Sequence, residues 1–196
     1  MPPDTLSAPA TPQNSFLEKY GNFYPIDLGL PLCETLAEIA IADTNGVVPA
    51  LRDLQLILGR EAAFAELLLH LNERGGNWVA SIVAEGELPV TVPGRIARAG
   101  CKLLVVALDA PAQTDAYAVF LAAVRRAKIR LFLTADLDGP ELTDTHYDTI
   151  FNALPRHGAE RWIDTAAPAE ANEAFGRFTR RVDRYAFRKV IIDQNV

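Results

Sequence analysis

Cys101-Lys-Leu-Leu-Val-Val-Ala-Leu-Asp-Ala-Pro111 is the most apolar run in the chain. It is short, rich in Val and Leu, and ends at an acid and a proline. Such a run, apolar on both faces, suits a strand covered on both sides, as in a parallel sheet with helices above and below. It reads as the central strand, with Asp109 as its exit residue.

Strand and helix alternate on either side of this run. Strands are expected over 78–84, 102–108, 129–134, 161–163 and 189–192. Helices are expected over 93–100, capped by Thr91, then over 114–127, 144–154 and 168–187. Alternation of this kind implies right-handed parallel crossovers. The N-terminal side reads differently. The aromatic piece 16–30, with Phe16, Tyr20, Phe23 and Tyr24, is expected to pack over the core as an irregular segment. Helices are expected from Pro31 to Asn45-Gly46, from Pro49 to Leu58, and over 60–74, closed by Gly75-Gly76. Residues 1–15 hold four prolines and little to bury, and read as a disordered tail. The expected fold is α/β: one domain over 16–196, with a mainly parallel sheet of about five strands flanked by helices and a helical N-terminal third. The spacing also suits part of a barrel, but eight strand–helix units exceed the length.

Composition narrows the function classes. The 196 residues carry a net charge of −6, which argues against a general nucleic-acid or membrane-surface binder. No apolar run reaches the length of a membrane span. The two cysteines, Cys33 and Cys101, are too few for a disulfide framework and fit reduced thiols in a cytoplasmic protein. Lys102 beside Cys101 could lower its thiol pKa, whereas a strand start favours burial. The histidines, His70, His146 and His157, lack metal-ligand spacing. Walker A and GxGxxG turns are absent, and Ser81 stands in a strand pattern without a nucleophile elbow.

Two features could carry function. The first is a set of acids where strands end: Glu85 and Glu87, Asp109, Asp136 and Asp138, and Asp164. In a parallel sheet these share one edge, where ligands bind. Glu85, Asp109, Asp136, Asp138 and Asp164 could hold a divalent cation such as Mg2+, or divide into acid and base. Each also reads as a helix cap or turn former. Within this set, Ala-Asp-Leu-Asp-Gly-Pro-Glu-Leu-Thr-Asp at 135–144 resembles the first motif of haloacid dehalogenase-like phosphatases. The resemblance implies Asp136 as nucleophile, Asp138 as general acid/base and magnesium held by the pair. Pro140 stands where the family has Thr.

The second feature is an arginine stripe, Arg177, Arg180, Arg181, Arg184 and Arg188, along one face of the last expected helix. Arginine's planar fork suits carboxylate or phosphate. The leading expectation is therefore a non-catalytic binding or accessory protein that uses this face to take an acidic protein or an anionic ligand. The alternative is a metal-dependent, phosphatase-like enzyme working at the strand ends.

Overall fold

The computed structural model describes residues 23–135, 137, 142–164, 177 and 190–191. Seven strands form its sheet: β1 (Phe23–Asp27), β2 (Val48–Arg52), β3 (Trp78–Val83), β4 (Cys101–Ala107), β5 (Arg130–Ala135), β6 (Arg161–Asp164) and β7 (Val190–Ile191). Between them lie α1 (Leu32–Thr44), α2 (Gln55–Leu58), α3 (Glu61–Glu73), α4 (Val92–Arg98), a 3-10 turn (Pro111–Thr114), α5 (Ala118–Arg126) and α6 (Asp144–His157). The expected tail at 1–15 and most of the last expected helix lie outside the described residues.

Every strand pairs in parallel with its predecessor in sequence, so the spatial order is β1-β2-β3-β4-β5-β6-β7. A sheet wound always in one direction by right-handed crossovers places its helices on one face. The packing follows that rule. Leu51, Ala80, Ile82, Leu104, Val106, Leu131, Leu133 and Trp162 pack with Ile39, Phe64, Leu67, Ile96, Phe120, Leu121, Val124 and Ile150 of the helices. The alternate strand positions, Ala50, Val79, Leu103, Val105 and Phe132, form a second cluster containing strand residues alone, with Phe23 and Val48 against it. The sheet therefore has an outer, helix-covered face and an inner face whose cluster, among the described residues, is made of strand residues alone, an arrangement like that of a β/α barrel. The Val and Leu of β4 serve both layers, which corrects the expectation of helices above and below.

The α/β class and the parallel sheet stand as expected, but the strand number and the N-terminal third do not. β1 occupies part of the piece read as irregular, and β2 falls where a helix was expected from Pro49. Pro49 lies just before the β2–β3 ladder, which starts at Ala50↔Val79, so its missing N–H is tolerated there. Pro25 sits in β1, which pairs only with β2 among the described residues. α1, α2 and α3 are present, so this third is mixed rather than helical.

Buried polar groups tie the layers together. The Trp78 indole donates to the Ala99 carbonyl at 2.8 Å, and the Trp162 indole to the Ile150 carbonyl at 3.1 Å. α6 begins at a reciprocal cap in which the Thr143 backbone N–H donates to His146 Nδ1 at 3.0 Å, giving that histidine a structural role. α6 continues beyond Leu154, through Pro155, to a left-handed Gly158. Among the described residues, no helix is long and apolar enough to cross a membrane.

Candidate active site at the carboxyl ends of the strands

Parallel pairing brings every strand's carboxyl end to one edge, and alternation decides which side chains face inward there. On β1 to β3 the inner positions near that edge are Asp27, Arg52 and Ser81. Asp27 and Arg52 are register partners on adjacent strands, so their Cα atoms lie about 4.8 Å apart. The Gly29 N–H donates to Asp27 Oδ1 at 2.7 Å, which orients this exposed carboxylate. Arg60 reaches back to donate to the Leu28 carbonyl at 3.1 Å and secures the same loop.

β2 ends in an unusual turn. Asp53 has φ +57, a left-handed conformation that non-glycine residues seldom adopt. Its N–H donates to Ser81 Oγ at 3.3 Å, and the next N–H, of Leu54, donates to the Ser81 carbonyl at 2.9 Å. Gln55 completes the clamp: its amide donates to Asp53 Oδ1 at 3.4 Å and accepts from the Val83 N–H at 3.0 Å. The structure thus holds a second carboxylate beside Arg52 in a strained but braced geometry. Val79, Leu103, Val105 and Phe132 form an apolar plug in the inner face, with the Arg130 and Arg161 guanidinium groups over the Phe132 ring. Above the plug, toward the edge, stand Ala107 and Thr134, register partners on β4 and β5. The Thr134 side chain is buried, and its Oγ1 has no hydrogen-bond partner.

The acids expected to share this edge fare differently. Glu85 and Asp109 do follow adjacent strand ends, since Val83 and Ala107 are partners. Both are exposed, as is Glu87. Asp109 is engaged locally: Gln113 donates to Asp109 Oδ2 at 3.1 Å and accepts from the Asp109 N–H at 3.1 Å. This is the turn-forming role, not the centre of a crevice. The nearby Tyr117 hydroxyl donates to the Ala84 carbonyl at 2.7 Å and contacts the Gly86 carbonyl at 3.1 Å, which pins the β3–α4 loop. Asp136 and Asp138 lie outside the described residues, and Asp164 closes β6 in register with Ala135. Among the described residues, no three His, Cys, Asp or Glu side chains converge as metal ligands.

Of the arginine stripe only Arg177 is described. It is helical, and its guanidinium grips Asp144 at the start of α6 with contacts of 2.9 and 3.2 Å. Arg180, Arg181, Arg184 and Arg188 lie outside the described residues. Cys101 is buried, and burial pushes its thiol up to about 12, outweighing Lys102.

The sequence reading missed Asp27, Arg52, Asp53 and Gln55. None carries a motif, and their shared edge exists only once β1 and β2 are recognised as strands. Tyr-Pro-Ile-Asp and Pro-Ala-Leu-Arg-Asp, each an apolar stretch ending in charge, were the available signals.

No protein-family model matches the chain, nor does any curated protein. Solved structures do share its arrangement. A radical S-adenosylmethionine methyltransferase from Kitasatospora setae superposes with a TM-score of 0.51 at 15% identity, over 67% of this chain and 29% of the methyltransferase. A protein described as a deoxyribose-phosphate aldolase, from Coccidioides immitis, superposes with a TM-score of 0.50 at 15% identity, over 94% of this chain and 73% of its own. The chain thus spans less than a third of the methyltransferase. At such identity the likeness defines a fold, the singly wound parallel α/β sheet. The proteins that carry it are enzymes, which overturns the expected non-catalytic binding or accessory scaffold.

Proposed function

We propose that this protein is an enzyme whose active site lies at the carboxyl-end mouth of its sheet and acts by proton transfer on a small anionic substrate. Arg52 binds the phosphate or carboxylate of the substrate, and Asp53, seconded by Asp27, exchanges the proton. The observation that carries the reading is the braced left-handed Asp53 beside the Asp27–Arg52 pair. Strain held in place by its surroundings is a feature of working sites, and β/α barrels place their sites at this end.

The chemistry of the two similar enzymes is not carried over. Among the described residues, the lysines, Lys102 near the start of β4 and Lys128 before β5, stand at the end opposite the mouth. A [4Fe–4S] cluster such as the methyltransferase binds needs several thiolates. Here Cys33 and Cys101 are the only cysteines, one exposed and one buried. Unpaired thiols also support placement in the cytoplasm.

The test is a thermal-shift screen of small phosphates and carboxylates against wild type, Arg52→Lys and Arg52→Met. A compound should raise the melting temperature of wild type, less that of Arg52→Lys, and not that of Arg52→Met. An undiminished shift in Arg52→Met defeats the assignment.

A further inference from the structure

We infer that Thr134 reads a hydroxyl or carbonyl oxygen on the substrate, so that the substrate carries an anionic group at one end and an oxygen function at the other. This rests on the site proposed above.

Thr134 is 1% exposed, and its hydroxyl has no partner. Several other buried polar side chains are satisfied. Ser81 accepts from Asp53, the Tyr147 hydroxyl donates to the Leu137 carbonyl at 2.8 Å, and both indoles donate to carbonyls. Leu133 and Ala135 belong to the helix-facing core, so Thr134, between them, faces inward with Phe132. It stands one residue from the end of β5. Its register partners, Ala107 and Ile163, are residue types without a polar side-chain group. Valine has the same shape and would fill this position without cost, whereas an unsatisfied buried hydroxyl costs about 1–3 kcal/mol. The hydroxyl is therefore explained by a partner that arrives from the mouth.

Position sets the class of that partner. Arg52 is on β2 and Thr134 on β5, three strands apart, or roughly 14 Å along the sheet at about 4.8 Å per strand. Curling of the sheet shortens the distance through the interior. The long arginine side chain spans part of what remains, so a small molecule with both functions, a short-chain hydroxy or oxo acid or a small sugar phosphate, suits the gap. A hydroxyl can donate to a carbonyl oxygen or exchange hydrogen bonds with an alcohol, so Thr134 serves either.

The experiment uses two matched pairs of probes, glycerol 3-phosphate with propyl phosphate and lactate with propionate. Binding is measured calorimetrically to wild type, Thr134→Val, Thr134→Ser and Arg52→Met, with urea unfolding alongside. Wild type should prefer the hydroxylated member of a pair. Thr134→Val should lose that preference, roughly tenfold in affinity for the hydroxylated probe alone, while unfolding at the same or a higher urea concentration. Thr134→Ser should restore it. The inference is overturned if wild type shows no preference within either pair, if Thr134→Val weakens both members alike, or if it destabilises the free protein. Arg52→Met reports separately on the anion: if its binding is undiminished while Thr134→Val loses discrimination, the anion assignment fails and the Thr134 assignment stands.

Discussion

Replacing Gly100 by alanine should be among the most damaging single-methyl changes available in this fold. Gly100 has φ +91, and an added Cβ would lie 2.0 Å from the carbonyl oxygen of Gly76 and 2.3 Å from its Cα. The contact joins two turns, the one entering β3 and the one entering β4, backbone against backbone. A left-handed conformation costs a residue with a Cβ about 1–2 kcal/mol. Forcing the turns apart also strains the bond from the Trp78 indole to the Ala99 carbonyl beside them, and a buried indole N–H left without an acceptor costs about 1–3 kcal/mol. The sum is about 2–5 kcal/mol, a large part of the 5–15 kcal/mol typical of a folded domain. Gly76→Ala should cost less, about 1–2 kcal/mol, because its Cβ would meet Ala99 and Gly100 at 3.0 Å. The double variant should cost less than the sum, since both methyls disrupt one contact. Gly94→Ala, on α4 with open space around it, should stabilise by roughly 0.5–1 kcal/mol. Urea unfolding followed by tryptophan fluorescence measures all four. A Gly100→Ala protein within about 1 kcal/mol of wild type would refute the close approach.

Two further outcomes follow from buried titratable groups. Burial, reinforced by the neighbouring Arg156, lowers the His157 pKa below its ordinary value, with Asp115 opposing. The neutral ring is favoured in the folded state, so its stabilising contribution is present above about pH 6.5 and is lost as pH falls through the depressed folded value. Urea midpoints taken from pH 7.5 to 5 should fall more steeply for wild type than for His157→Gln, and equal slopes would contradict this burial. For the cysteines, a thiol reagent at pH 8 should label Cys33 rapidly in the native protein and Cys101 only on unfolding. Two fast equivalents in the native state would show Cys101 to be accessible.

Five of the seven strands are legible along the chain, and the reason is physical. β3 to β7 are runs rich in Val, Leu, Ile and aromatic residues, and each is anticipated within a residue or two. β1 and β2 escaped because Pro25 and Pro49 suggest a loop and a helix start. Only the parallel ladder shows that both prolines occupy positions where a missing N–H is tolerated. The acids at strand ends were correctly placed at one edge for Glu85 and Asp109, but their roles were not readable. A carboxylate that serves its own turn and one that faces a mouth look alike in one dimension, and it is the Gln113 amide that assigns Asp109 to the first kind.

The run from Cys101 to Pro111 makes the same division. Its composition determines a strand buried on both faces, because only an apolar environment on each side is compatible with those side chains. It does not determine what covers each face. Helices on two sides, or helices on one side and the curled interior of the same sheet on the other, present identical apolar surroundings to Val105 and Val106. The choice lies in the winding direction of successive crossovers, a property of all seven strands together. That winding, by setting β1 beside β2 and β2 beside β3, brings Asp27, Arg52, Asp53 and Ser81 to one mouth.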